Sequence, residues 1–360
     1  RSVVWRTEVC VMTLDPKEPI IPADQGELSP GKSVIVDVPA SSANVGPGFD
    51  CLALALDWRE RINMAVIDHG YQIEVTGEGA EGLPRDESHL IIRSALLGLA
   101  DLGVKAPGLW LGCRNTIPHG RGLGSSAAAI VGGLMAAAGL AQVRVEPEWL
   151  LGHANAIEGH PDNVAAAIYG GFVLAYQGHG GVTAAQARVH PAIRAALFIS
   201  GTSLATEAAR GLLPEVVPHL DAAANSARAA LLVYALANEP DLLYDATSDW
   251  LHQSYRGAAM PRSYELMESL RGQGYAAMIS GAGPSVLVLG VGTDLVALQD
   301  QKATGFSLRL GHIGSAAAII DPSPTAGGRD QTVMETPSAG ASLREPTRSG
   351  QSAVTGSPTS

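Results

Sequence analysis

Asn115-Thr-Ile-Pro-His-Gly-Arg-Gly-Leu-Gly-Ser-Ser-Ala-Ala-Ala-Ile-Val-Gly-Gly, residues 115–133, carries glycine at every second position from Gly120 through Gly122 to Gly124 and then runs into alanines. Alternating glycines lift the Cβ barrier to positive φ, so successive backbone N–H groups can turn toward one centre. Ser125 and Ser126 stand where a helix cap would fall, and the alanine run offers a helix N-terminus behind them. A glycine loop feeding a helix start is an anion cradle, most often for phosphate. The spelling is neither of two familiar phosphate loops. No lysine follows the glycines as a Walker loop requires, and G-x-G-x-G followed by serines is not the dinucleotide pattern G-x-G-x-x-G. A tight glycine turn ahead of an apolar helix is the plainer reading of the same residues.

Composition narrows the classes. The 360 residues suffice for two domains and a substantial core. With 35 acidic against 24 basic residues and few aromatics, the chain gives no support to nucleic-acid binding. Cys10, Cys51 and Cys113 are widely spaced and odd in number, which suggests neither a disulfide framework nor a Cys-based zinc site and favours a reducing cytoplasm. No apolar run reaches membrane-span length. Residues 1–12 lack the basic flank, long apolar core and cleavage site of a signal peptide. Arg rather than Met at position 1 reads as a fragment or as extra upstream residues.

Along the chain, residues 1–31 read as a loose leader rich in proline, acids and glycine. A strand over 33–38 ends at Pro39, and residues 39–50 form a turn-rich loop holding Asn44 and Asp50, each a natural turn residue by itself. Residues 61–67 and 71–75 alternate like paired strands around an Asp68-His-Gly hairpin turn. A helix over 90–102 and a strand over 109–113 lead to the glycine loop, and the helix behind it, 125–140, is apolar all round and so buried. A further helix, 148–157, ends at Glu158-Gly-His-Pro-Asp-Asn-Val164, which brings Glu158, His160, Asp162 and Asn163 close together; with His153 these lack zinc spacing. Helix 164–169 and strand 172–176 follow, then a surface loop over 178–187. Beyond it come strand 195–199, a helix capped by Thr206, helices over 220–237 and 241–256, strands 276–279 and 285–289 around the second glycine loop Ser280-Gly-Ala-Gly-Pro284, a helix over 295–303 and a closing strand 316–320. Residues 321–360 have no apolar periodicity and read as disordered.

Three separated motifs coincide with one family. Pro39-Ala-Ser-Ser-Ala-Asn-Val-Gly-Pro-Gly-Phe-Asp50, Pro118-His-Gly-Arg-Gly-Leu-Gly-Ser-Ser-Ala-Ala128 and Ser280-Gly-Ala-Gly-Pro-Ser285 resemble, in order, the signatures of the GHMP small-molecule kinases. Within that superfamily, the Gly-Pro-Gly-Phe-Asp ending, Glu158-Gly-His-Pro-Asp-Asn-Val164 and Leu251-His-Gln-Ser-Tyr-Arg256 are similar to the homoserine kinase branch. The resemblance spans about 32–320 and excludes leader and tail. It implies an α+β fold of two domains, ribosomal S5-like over 32–180 and ferredoxin-like over 181–320, with the active site between them. It further implies a cytoplasmic, homodimeric enzyme that uses ATP and Mg2+ to phosphorylate the side-chain hydroxyl of L-homoserine in threonine biosynthesis.

The resemblance assigns roles residue by residue. The nucleotide falls to Pro118, His119, Gly120, Arg121, Gly122, Leu123, Gly124, Ser125, Ser126, Ala127 and Ala128. Magnesium wants hard oxygen ligands, matched by Ser126 and Glu158. A zwitterionic substrate needs a cation for its carboxylate and an acid for its ammonium group; the matching residues are Arg210 with Arg256, and Asp50. Asn44, His160, Asp162, Asn163 and Thr206 complete the site. Related kinases place an aspartate beside the substrate hydroxyl where this chain has Asn163, so in-line attack without a base is expected, with Asp162 and Asn163 as positioners. The alternatives are another GHMP kinase, acting on mevalonate or a sugar, and a non-catalytic nucleotide-binding protein of this fold.

Overall fold

The structure, a computed structural model, describes residues 26–320. The leader through residue 25 and the tail from 321 lie outside the described residues. Strands β1 (Ser33–Ala43), β2 (Leu52–Ile67), β3 (Gly70–Gly77), β4 (Gly108–Asn115), β5 (Phe172–Gly178) and β6 (Gly181–Ala187) are followed by β7 (Ile193–Ser200), β8 (Ala276–Ile279), β9 (Val286–Val291), β10 (Phe306–Gly311) and β11 (Ala318–Ile320). Helices α1 (Leu90–Asp101), α2 (Ser125–Ala141), α3 (Pro147–Glu158), α4 (Asp162–Tyr169) and α5 (Thr206–Arg210) precede α6 (His219–Asn238), α7 (Leu243–Ala246), α8 (Gln253–Arg256), α9 (Pro261–Gly272) and α10 (Gly292–Leu295). None of the helices among the described residues is long and apolar enough to cross a membrane.

The first sheet runs β11-β1-β2-β4-β3, and the β5–β6 hairpin joins it at the start of β2. Its apolar face (Val34, Val36, Val38, Ile62, Met64, Leu109, Leu111) packs on α1 and α2. Small residues let α2 lie close: a Cβ on Gly132 would sit 2.2 Å from Ile62, and one on Gly133 would sit 2.4 Å from the Ile91 carbonyl. The second sheet runs β10-β7-β9-β8, all antiparallel. In chain order that is 4-1-3-2, the ferredoxin-like arrangement. One face (Phe198, Ile279, Val286, Val288) packs on α9 and α10; the other (Leu197, Met278, Leu287) joins the first core together with Leu232 and Leu236 of α6.

Several local expectations are corrected. The strand expected to stop at Pro39 continues to Ala43, with a register shift between Pro39 and Ser41 that accommodates the missing proline N–H. Residues 61–67 and 71–75 do not pair with each other: β4 lies between them, antiparallel to β2 and parallel to β3. The 68–70 link crosses the end of β4 at Gly108, where a Cβ would lie 2.5 Å from the His69 backbone. Residues 181–187, read as surface loop, form β6, so the boundary drawn at 180 cuts a hairpin, and β11 returns to the first sheet beside β1. Glu27 bridges Lys105 and the Leu28 N–H donates to the Lys105 carbonyl (2.7 Å), so this part of the leader is fastened. Helix α9 and strand β10 were not anticipated; α9 buries Ser263, Leu266, Met267 and Leu270 at helical spacing behind Pro261 at its start.

Candidate active site

All three glycine and serine motifs meet at one place. Gly120, Gly122 and Gly124 have φ of 65°, 70° and 68°, the left-handed conformation that alternating glycines permit. The loop also needs their bareness. A Cβ on Gly122 would lie 2.0 Å from the Ser280 carbonyl oxygen, and one on Gly124 would lie 2.0 Å from Ser41 Oγ. Ser41 N–H donates to the Leu123 carbonyl (3.1 Å), Gly281 N–H to the Ala43 carbonyl (3.1 Å), and Ser280 Oγ to the Gly122 carbonyl (2.7 Å), with Ser42 Oγ 2.8 Å away. Asn44 closes the knot: its Nδ2 donates to the Gly281 carbonyl (2.8 Å) and its Oδ1 accepts from Asp50 N–H (3.0 Å). The turn is strained, with Asn44, Val45 and Asp50 all at positive φ; Val45, a β-branched residue at 43°, is held there by complete burial.

These segments line an open cleft. Of the expected residues, Asn44, Asp50, Gly120, Gly122, Leu123, Gly124, Ser125, Ser126, Glu158, His160, Asp162, Asn163, Thr206, Arg210 and Arg256 line it. Pro118, His119, Arg121, Ala127 and Ala128 do not. Ala127 and Ala128 are buried in the core, while Arg121 donates to the carbonyls of His119, Ser200 and Gly201 and so fastens the loop to the second sheet. His119 turns toward Asn115 (3.2 Å) and Gly79, and burial holds its pKa below the usual histidine value.

Two expected caps are absent. Gly124, not a serine, caps α2, so both serines are helical and Ser126 Oγ is free to donate to Glu158 Oε1 (2.6 Å). Likewise Ala205 caps α5, and Thr206 is the first helical residue. Burial raises the Glu158 pKa, against the lowering effect of the Ser126 hydrogen bond. Among the described residues there is no cluster of three or more His, Cys, Asp or Glu able to cage a metal. One carboxylate beside one hydroxyl, both hard oxygen donors bordering a phosphate cradle, does fit a magnesium ion that completes its shell with phosphate and water.

Across the cleft the chemistry is ionic. Arg210 donates through both terminal nitrogens to the two oxygens of Asp50 (2.9 and 2.5 Å), which raises the arginine pKa. Arg256 is 1% exposed, and no carboxylate among the described residues lies within ion-pair distance of it. It donates to the Ala209 carbonyl (3.2 Å) and faces His252 Nδ1 (3.5 Å); burial first, and then Arg210, lowers its pKa. Both guanidinium groups lie over the Phe49 ring, Arg210 Cζ at 5.5 Å and Arg256 Cζ at 5.2 Å from its centre. His160 Nδ1 is 3.2 Å from Asp162 Oδ1, which raises the histidine pKa, and that same oxygen accepts Asn163 N–H (2.8 Å). Sequence reasoning left Ser41, Ser42, Phe49, His252 and Ala282 without a site role, although all five sit in quoted motifs; Ala282 carries no side-chain chemistry to notice.

A left-handed glycine loop feeding a buried helix on a mixed sheet, facing a ferredoxin-like unit across a polar cleft, is the arrangement of a small-molecule kinase. The profile of the GHMP kinases N terminal domain matches residues 89–171 and that of the GHMP kinases C terminal region matches 231–303. The homoserine kinase of Streptomyces coelicolor is 51% identical over 260 residues, 71% of this chain and 84% of that protein. That of Mycolicibacterium vanbaalenii is 47% identical over 297 residues, 80% and 95% of the two chains. The crystal structure of homoserine kinase from Cytophaga hutchinsonii superposes with a TM-score of 0.73 at 27% identity, covering 81% of this chain and 98% of that one. The chain belongs to the GHMP kinases and, within them, to the homoserine kinase family. Mevalonate kinase from L. major, 15% identical with a TM-score of 0.59 over 80% of this chain and all of that one, shares the fold.

Proposed function

We propose that this chain transfers the γ-phosphoryl group of ATP to the side-chain hydroxyl of L-homoserine, giving O-phospho-L-homoserine and ADP for threonine synthesis. The observation that carries the reading is one cleft holding a glycine cradle, a hydroxyl–carboxylate pair and charges of both signs suited to a zwitterion. The backbone N–H groups of the loop and the N-terminus of α2 receive the triphosphate. Ser126 and Glu158 hold magnesium, which when bound neutralises charge on the phosphate oxygens. Arg256, buried without a carboxylate, and Arg210 take the substrate carboxylate, while Asp50 takes the ammonium group. Because Asp50 and Arg210 neutralise each other in the free protein, the substrate exchanges its own charges into that pair.

His160 is biased toward its cationic form and its Nδ1 faces Asp162, so that carboxylate is engaged as an orienting group. The substrate hydroxyl attacks phosphorus in line, the bond to the bridging oxygen of ADP breaks, and the hydroxyl proton passes late to the transferred group. Asn44 and Thr206 shape the remaining wall. A cytoplasmic homodimer belongs to the same proposal, and sedimentation velocity of the purified chain checks the assembly.

The deciding experiment is ADP release with MgATP and a panel of L-homoserine, L-serine, L-threonine, mevalonate and galactose. Turnover is expected largely with L-homoserine and is expected to fall about a hundredfold or more in Glu158→Ala. Turnover with mevalonate or galactose instead would overturn the substrate. Full turnover in Glu158→Ala would remove that carboxylate from the metal role.

A further inference from the structure

We infer that Ser41 is a positioning residue for phosphoryl transfer: by holding the Asn163 carboxamide oxygen, it turns the Asn163 Nδ2 amide into the cleft as a hydrogen-bond donor to the moving phosphoryl group. This rests on the kinase reading and says which of Asn163's two polar atoms does the work.

Ser41 lies near the end of β1 and is completely buried. Its hydroxyl donates to Asn163 Oδ1 (2.9 Å), the one hydrogen bond this hydroxyl makes among the described residues. Its backbone is fixed independently, N–H to the Leu123 carbonyl at 3.1 Å. Asn163 is equally constrained, sitting in the first turn of α4 with its N–H on Asp162 Oδ1. An asparagine amide presents a donor and an acceptor of nearly the same shape, so a free Asn163 could show either to the cleft. A buried hydroxyl must spend its proton, and the Asn163 oxygen is where this one goes. That leaves Nδ2, which has no protein partner among the described residues, on a side chain that lines the cleft.

The third glycine of the phosphate loop makes room for the bond. A Cβ at Gly124 would sit 2.0 Å from Ser41 Oγ and 3.0 Å from Asn163 Oδ1. Thus β1, the glycine loop and α4 are locked together at this one contact. A neutral carboxamide is not a base, so Asn163 does not take the substrate's proton. Its amide instead donates to a non-bridging phosphoryl oxygen as the new O–P bond forms, the bond to ADP breaks and the hydroxyl proton goes to the phosphoryl product. Donors fixed before the reaction are the effective ones, since nothing must reorganise at the moment of transfer.

A double-mutant cycle on kcat with MgATP and L-homoserine tests this. Asn163→Ala is expected to lower kcat about a hundredfold and Ser41→Ala about tenfold, with both KM values within about twofold of wild type. The double variant should match Asn163→Ala alone, because Ser41 acts only through Asn163. Effects that multiply in the double variant would overturn the proposal. So would an Asn163→Asp variant with wild-type turnover, which would mean an acceptor suffices; a fall of at least about tenfold is expected. A readout free of turnover separates this from failure of the kinase reading. The Asn163 side-chain 15N–1H signals, assigned by their loss in Asn163→Ala, should shift when MgADP with aluminium fluoride is added and should not shift in Ser41→Ala. An unmoved Asn163 signal in wild-type protein whose glycine-loop backbone signals do move would sink the inference, whereas glycine-loop signals that stay still would instead overturn the kinase reading on which it rests.

Discussion

On the phosphate side of the cleft the contacts are between backbones and short hydroxyls: Gly122 against Ser280, Gly124 against Ser41, Ser280 against Ser42, all with fully buried serines. On the opposite side, proposed for the substrate, they are made by charged side chains: Arg210 pairs with Asp50, and Arg256 is held on the Ala209 carbonyl. There the Asp50 and Arg210 side chains remain 33% and 34% exposed. The first wall is fixed by steric approach at the level of main chain, where a single methyl group has nowhere to go. The second is fixed by charge, in a pair that can open when a ligand offers the same charges in a different geometry. In the proposed reading the polyphosphate meets rigid backbone, and recognition of the substrate is left to a few side chains on short or strained segments, such as the five-residue α5 and the left-handed turn before Asp50.

The largest expected effect tests the rigid wall. Gly122→Ala puts a methyl group 2.0 Å from the Ser280 carbonyl oxygen and 2.9 Å from the Gly283 nitrogen at a residue with φ of 70°, and both are backbone atoms. Denaturant unfolding should show a loss of about 3 kcal/mol or more, with turnover reduced at least about a hundredfold. A stable, active Gly122→Ala protein would show that the two glycine loops are not packed as described.

A smaller and more selective effect is expected across the cleft. Asp50→Asn removes the negative charge from the Arg210 pair while preserving shape. The KM for L-homoserine should rise about 10- to 100-fold, the range for losing a charged hydrogen bond, while the KM for MgATP stays near wild type. Equal changes in both KM values would erase the distinction between the walls.

The smallest effect lies beneath the phosphate wall. Glu60, on β2, is 3% exposed and accepts N–H groups of Thr116 and Ile117 (3.3 and 3.5 Å) at the root of the glycine loop, with Cys113 Sγ at 3.6 Å. Burial pushes its pKa up to about 6 from 4.5, only partly opposed by those hydrogen bonds. A folded-state value above the unfolded one means the folded protein binds the proton more tightly. Its contribution to stability is therefore present in full below about pH 4.5 and fades as pH rises through about 6. Unfolding free energies of wild type minus Glu60→Gln should fall by about 2 kcal/mol across that window. A flat difference would mean that this carboxyl titrates normally.

Much of this was legible in the sequence because it depends on local chemistry. The positive φ values of Gly120, Gly122 and Gly124, the buried all-apolar α2 and the strands around both glycine loops follow from residue type and spacing. The roles proposed for Glu158, Asp50, Arg210 and Arg256 rest on the likeness of several motifs together, since each alone reads as an ordinary helix-end, turn or surface charge. Three failures share one cause. The 68–70 turn looked like a hairpin, residues 181–187 like a loop, and Ser125 with Thr206 like caps, because each was judged from its neighbours in the chain. Strand β4, β5, Gly124 and Ala205 decided them otherwise.

By itself, then, the sequence determined the left-handed glycine loop, the buried helix behind it and the family, all properties of residue type and spacing. Tertiary structure alone decided that β4 separates β2 from β3, that Asp50 pairs with Arg210, and that the Ser41 hydroxyl meets the Asn163 carboxamide oxygen. The physical reason is range: backbone preference acts within a turn, whereas these contacts join residues 122 and 160 positions apart and exist only once the chain has packed.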